Sequence, residues 1–147
     1  MEQHFPYPMP EFDAEPFWEA CNREELRMQR CTDCGRWRWT PLPICDNCLS
    51  PHFTWERLSG RGTVHTWTVV THAVHPAAVE RIPYVVVEVA LEEQGDLYII
   101  SNLIDIEPKH IVMDMPVEVT FVPHPHGCKL PQFRPRQQQE AEEHSHG

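Results

Sequence analysis

The stretch CTDCGRWRWTPLPICDNC, Cys31 to Cys48, decides how this chain is read. It holds two Cys-x-x-Cys pairs, Cys31/Cys34 and Cys45/Cys48, with ten residues between them. Two thiolates on each of two tight turns can converge on one tetrahedral metal at about 2.3 Å. Gly35 follows the first pair directly, where the backbone has to turn sharply. The spacing is that of a zinc ribbon. Two readings stand beside it: reactive thiol pairs or disulfides, and iron in the same cage, which would make an electron carrier. With thiolate at all four positions no site is left for water, so the centre is structural, not hydrolytic.

Around this stretch the chain has 147 residues, enough for one domain or two very small ones. Its 15 prolines gather at 6–16, 41–51 and 123–135 and favour extended segments and turns over long helices. The net charge of -10 opposes binding to a nucleic-acid backbone. No run of eighteen apolar residues is present, and MEQHFPYPMPEF lacks the basic and apolar regions of a secretory signal. The expected location is cytoplasmic, without membrane contact, where six cysteines do not form a disulfide framework.

The fold class expected is mainly β: a short helical arm, a metal ribbon and a small barrel. Residues 1–25 form the arm, extended at first. Asp13 is placed to cap a short helix opening with Ala14, Glu15 and Pro16, and Phe17, Trp18 and Cys21 give that helix an apolar stripe. Residues 26–58 form the ribbon, with strands at 26–30, 37–40 and 53–58 around the cysteines. SGRGT (59–63) is a glycine-punctuated joint. Beyond it, 64–71, 84–91, 97–103, 117–121 and 130–133 read as strands, and Gln94-Gly95-Asp96 makes 84–91 and 97–103 a hairpin. Five short strands, with a polar segment at 105–114 between the third and fourth, suggest a closed Greek-key barrel of the OB type over 59–135. The polar tail 136–147 is expected to be disordered.

Other chemistry-bearing residues are sparse. Cys21 reads as core, and Cys128, with His126 before it and Lys129 after, as a turn cysteine or a nucleophile of lowered pKa. His72 and His75 form a His-x2-His on a loop, while Glu92 and Glu93 read as solvated turn charges. Lys129, Arg134 and Arg136, and separately Arg57, Arg61 and Arg81, form small basic groups that can meet a phosphate or merely solubilise. The sequence has no Gly-x-Ser-x-Gly, His-Glu-x-x-His or phosphate-binding glycine loop. Trp37, Trp39, Phe53 and Trp55 are many large rings for so small a module. They suit a partner interface, or else wrap the ribbon's own core.

In order along the chain, FWEACNREELRMQRC (17–31), the paired knuckles, Trp55, GRGTVHTWTVV (60–70), PYVVVEV (83–89) and LPQFRP (130–135) resemble one family. Its members are acyl-CoA-associated proteins built from a helical arm, a rubredoxin-like zinc ribbon and an OB-fold. The likeness runs from Phe12 to Pro135. It implies that Cys31, Cys34, Cys45 and Cys48 bind structural Zn2+. It also implies a hetero-oligomer of lipid metabolism, in which a thiolase-fold enzyme (a thiolase or a steroid side-chain aldolase) or a MaoC-like hydratase supplies the catalysis. The small subunit would support the complex and shape acyl-CoA access, with a CoA thioester as ligand. From charge and aromaticity, Lys129, Phe133 and Arg134 are the candidate acyl-CoA contacts. A nucleic-acid module, an iron electron carrier and a hydrolase using Cys128 are the other readings.

Overall fold

The computed structural model describes residues 8, 11, 13–125 and 127–137. The first element is one helix, α1 (Glu15–Asn22). It starts later than expected. Ala14 holds the N-cap position without a side-chain cap, Asp13 lies in the turn before it, and Pro16 stands in the first turn where a missing N–H costs nothing. Phe17, Ala20 and Cys21 form its buried face. The expectations for 1–12, apart from residues 8 and 11, and for the tail beyond 137 fall outside the described residues.

The ribbon is a three-stranded sheet in the order β2-β1-β3, from β1 (Arg27–Cys31), β2 (Trp37–Arg38) and β3 (Phe53–Arg57). β1 is central and antiparallel to both neighbours. β2 has two residues where four were expected, because Trp39 already turns into the proline-bounded loop toward the second cysteine pair.

After the joint the chain closes a barrel in the order β4-β5-β6-β8-β7: β4 (Arg61–Val70), β5 (Tyr84–Leu91), β6 (Tyr98–Leu103), β7 (Pro116–Val122) and β8 (Leu130–Pro135). β7 pairs back onto β4 and removes the sheet edges. The register follows from the alternation of β5, where Val85, Val87, Val89 and Leu91 face inward. A one-residue slip would expose all four, at about 1.5–3 kcal/mol each. An irregularity between Val64 and Thr66 in β4 leaves His65 exposed, its ring 4.7 Å from that of Tyr98. β6 and β8 are parallel and share one pair, Leu103 with Phe133, which makes that seam the thinnest in the barrel. The polar 105–114 segment bridges to β7 and carries a single 3-10 turn, Pro108–His110.

Arm, ribbon and barrel share one core. Phe17, Cys21, Leu26, Met28 and Trp37 belong to the same buried cluster as Val64, Val87, Leu97 and Phe133. Among the described residues no helix is long and apolar enough to cross a membrane.

Gly62 is buried, and a Cβ there would collide with the carbonyl oxygen of Ala90 and with the Val89 side chain. β4 approaches β5 this closely because Gly62 has no side chain. Gly62→Ala is expected to cost about 1–3 kcal/mol, as overpacking of a filled interior does. Urea unfolding of the two proteins measures it, and equal midpoints would show that the two strands separate freely.

Candidate metal centre

The two cysteine pairs sit on two knuckles of the same construction. In the first, the Cys31 N–H donates to the Arg36 carbonyl at 2.8 Å and the Gly35 N–H to the Cys31 carbonyl at 2.9 Å. In the second, the Cys45 N–H donates to the Ser50 carbonyl at 2.8 Å and the Leu49 N–H to the Cys45 carbonyl at 3.0 Å. Gly35 and Leu49 hold matching positions and both have positive φ, 79° and 63°. Glycine was legible there. Leucine was not, since a γ-branched residue in the left-handed region is strained unless its surroundings fix it.

The knuckles bring all four Sγ atoms within 4.8 Å of one another. Cys31 to Cys48 and Cys34 to Cys45 are both 3.6 Å. A tetrahedral cage with bonds of about 2.3 Å has sulfur–sulfur edges of about 3.8 Å, so the set fits such an ion. Cys31 and Cys45 are buried, and Cys34 and Cys48 face solvent. Backbone N–H groups aim at the sulfurs. The Cys34 amide leads in pulling the Cys31 thiol down to about 6, and the Cys48 amide leads in pulling Cys45 down. The backbone N–H of Ser50 also pulls Cys48 down, but desolvation and the thiols of Cys31, Cys34 and Cys45 push it up to about 12. Two sites prepared for thiolate beside one that resists it are what four converging sulfurs show before a cation neutralises them.

Three residues whose contacts the sequence does not reveal, Arg38, Arg36 and the turn residue Gln94, hold the centre in place. Arg38 is 2% exposed and donates to the carbonyls of Leu42, Ser50 and His52, stitching the second knuckle to the sheet. Arg36 leaves the first knuckle and reaches Asp46 of the second at 2.8 Å and Asp96 of the β5–β6 turn at 2.6 Å. Gln94 of that turn accepts from the Trp37 N–H at 2.9 Å and donates to the Trp37 carbonyl. The metal ribbon is thus clasped to the barrel hairpin. Sequence gave no sign of this, because the partners are 57 to 60 residues apart.

Several candidates change role. Phe133 is fully buried in the barrel core, so it cannot be an acyl-CoA contact. Lys129 pairs with Glu24 at 3.8 Å and Arg134 with Glu118 at 3.4 Å. Trp37 is 7% exposed, lies in the chain's own core beneath the Arg30 guanidinium, and offers no ring to a partner. Trp39 is half-buried against Phe17, ring centres 4.3 Å apart; Trp55 is half-buried and Phe53 is at the surface. Cys21 is core as expected, and burial pushes its thiol up to about 12. Desolvation also raises Cys128, against the lowered pKa that a nucleophile requires, and His126 lies outside the described residues. The His75 ring accepts from the Ala77 N–H and caps a 3-10 turn. Glu92 and Glu93 are not merely solvated. They hold Arg61 at 2.7 Å and the Ser59 N–H at 2.8 Å, fixing the joint.

Cys34→Ser or Cys45→Ser is expected to abolish the one equivalent of bound metal and the exchange protection of 27–57, while 84–103 keeps part of its own. Metal analysis and hydrogen exchange read both, and unchanged metal content would refute the assignment. Arg36 holds the Asp46 and Asp96 carboxyls below the usual 3.8. Their contribution is therefore complete above that value and lost as pH falls through the lower folded values. Asp96→Asn should flatten the acid limb of the stability profile below about pH 4. An acid limb identical to that of the unaltered chain would show that the clasp carries no stability.

Comparison with known proteins agrees with this architecture. Residues 18–54 match the rubredoxin-like zinc ribbon domain of ChsH2, and residues 55–122 match its C-terminal OB-fold domain. A probable enoyl-CoA hydratase alpha subunit of Thermomonospora curvata is 38% identical over 127 residues, 84% of this chain; the chain spans only 38% of that relative's length. A DUF35 domain-containing scaffold protein of Pyrococcus furiosus is 38% identical over 100 residues, covering 66% of this chain and 70% of the relative. Among solved structures, a chain of the Ltp2-ChsH2(DUF35) aldolase superposes with a TM-score of 0.78 at 33% identity, over 88% of this chain and 98% of that one. A zinc ribbon clasped to an OB barrel, with relatives of this identity and coverage, makes the chain a member of the ChsH2-type DUF35 family.

Proposed function

We propose that this chain is a non-catalytic accessory subunit of a thiolase-fold acyl-CoA enzyme, a thiolase or a retro-aldolase. It stabilises that complex and shapes acyl-CoA access to it. The observation that carries the reading is the likeness to the Ltp2-ChsH2(DUF35) aldolase, which spans 98% of the matched chain. The residues of this chain support it. The four-thiol cage is closed, so it holds a structural ion, which we assign as Zn2+. Cys128, the one thiol read as a possible nucleophile, is raised rather than lowered. The reactive groups then belong to the partner, in a reducing cytoplasm where free thiolates persist.

A hydratase-type partner is the second reading. It is favoured by the names of the Thermomonospora curvata relative and of a 3-oxo-4,17-pregnadiene-20-carboxyl-CoA hydratase alpha subunit of Mycobacterium tuberculosis, 31% identical. The chain spans 35% of the second protein's length. Affinity capture of the tagged chain from its native lysate, with mass identification and stoichiometry, separates the two. A stoichiometric thiolase-like chain is the expected result and a hydratase-like chain selects the second reading. Recovery of the chain alone, or with nucleic acid, would refute both.

A further inference from the structure

Four of the six cysteines form the cage, and Cys21 and Cys128 do not belong to it. One lies on α1 and the other in the loop before β8, yet the fold brings their surroundings together. The Lys129 N–H donates to the Asn22 Oδ1 at 3.0 Å, across 107 positions of sequence. The Lys129 ammonium pairs with Glu24 at 3.8 Å. Asn22 follows Cys21 and Lys129 follows Cys128, so the residue after each thiol is fastened to the residue after the other. The Lys129 nitrogen is one peptide bond from Cys128, which leaves the Cys128 backbone within a side chain's length of Asn22. The end of α1 is itself fixed. The Cys21 carbonyl accepts from the Glu24 N–H at 2.9 Å, and Glu24 turns the chain at a φ of 61°.

The two thiols differ in access. Cys21 is fully buried on the inner face of α1 with Phe17 and Ala20, and Cys128 is half-buried. Burial foremost, and after it the charge of a nearby Cys128 thiolate, push the Cys21 thiol up to about 12. The second cause sets the two sulfurs within electrostatic reach of each other. Closing an S–S bond needs a Cα separation of about 4.4–6.8 Å. Gly127, beside Cys128, gives the loop freedom for the adjustment that closure asks. One sulfur open to a reagent, with a second sheltered behind it, is the layout of an attacked thiol and a resolving thiol.

We propose that Cys21 and Cys128 are an oxidation site, joined as a disulfide by a small-molecule disulfide such as glutathione disulfide while the metal cage stays intact. The Cys128 thiolate attacks one sulfur of the oxidant, the oxidant's S–S bond breaks, and one glutathione thiolate leaves. The Cys21 thiolate then attacks the Cys128 sulfur of this mixed disulfide, and the second glutathione leaves. Two protein thiols give up two electrons and two protons, and the oxidant takes them up as two thiols. Burial raises both protein thiols, so thiolate is scarce and the exchange is slow. The pair therefore rests reduced in a reducing compartment and answers a sustained change of redox poise. The bond ties α1 to the β7–β8 loop. It closes most of the folded chain into one loop, which removes freedom from the unfolded state and stabilises the fold. The inference does not depend on the acyl-CoA reading.

The test incubates the full metal-loaded chain with glutathione disulfide and reads intact mass, peptide map, metal content and urea midpoint. The expected product has lost two hydrogens, yields a linked Cys21–Cys128 peptide and keeps its metal. Its urea midpoint rises and falls back when dithiothreitol is added. Cys128→Ser, at a half-buried position, should form no cross-link and show no rise. Cys21→Ala should stop at a glutathione adduct on Cys128, because the resolving thiol is gone. Should Cys21→Ala fail to fold, the mapped linkage in the unaltered chain and its loss in Cys128→Ser decide the matter. Three results would overturn the proposal. The first is two unmodified thiols in the folded chain under conditions that cross-link the urea-unfolded chain. The second is a lasting glutathione adduct on Cys128 with Cys21 still free. The third is a linkage through a cage cysteine with release of the metal.

Discussion

Everything in the front half of the molecule depends on four sulfurs meeting. The ribbon has strands of five, two and five residues, too little sheet to bury a core of its own. What replaces the missing hydrophobic area is local. Each knuckle folds its backbone N–H groups toward the sulfurs, which lowers the Cys31 and Cys45 thiols toward the thiolate an ion binds. The centre carries its own strain in Leu49, held at positive φ with its side chain 69% exposed. Ion coordination at four corners is the kind of over-determined geometry that maintains such a residue.

The centre does not act on the ribbon alone. Arg36 belongs to the first knuckle by its backbone and to the second by its ion pair with Asp46, and it reaches the barrel through Asp96. Gln94 reads the backbone of Trp37 from the same turn. These contacts are partly exposed, and such ion pairs add little stability singly. Their value is geometric, because they converge on one hairpin turn. The apolar contribution comes from the shared core, where Phe17 of the arm and Trp37 of the ribbon pack in the same cluster as the barrel valines. Cutting the chain at the 59–63 joint would therefore expose core on both sides, whatever the glycines there suggest about a boundary.

How much of this was legible follows from the range of each interaction. The thiol set, the β5 alternation and the hairpin turn are encoded within about twenty residues, and all three were readable. The β7 strand and the polar bridge before it were readable for the same reason. The charged residues were not. Glu92 and Glu93 look like turn charges until Arg61 and the Ser59 amide appear beside them. Arg38 looks like an ordinary strand residue until its guanidinium is seen among three carbonyls. Aromaticity misled for a related reason. Phe133 and Trp37 invite a role through their rings, but the alternation of β8 turns Phe133 inward, and Trp37 is buried on a two-residue strand whose neighbour Arg38 is buried as well.

The same pairing limits what the surface can recognise. Arg57, Arg61, Lys129 and Arg134, from the two basic groups in the sequence, each face a carboxylate: Glu25, Glu92, Glu24 and Glu118. A phosphate arriving at these residues would have to displace an internal partner, on a chain whose net charge is -10. Those four cations are engaged within the chain, which makes shape and apolar contact a larger part of what its surface offers. The exposed apolar side chains follow that logic. Leu42, Ile44, Leu49 and Phe53 stand on the ribbon, and Ile100 beside Trp39 stands where ribbon meets barrel. A fold that uses its charges to hold its own modules together has its apolar surface left to meet other molecules.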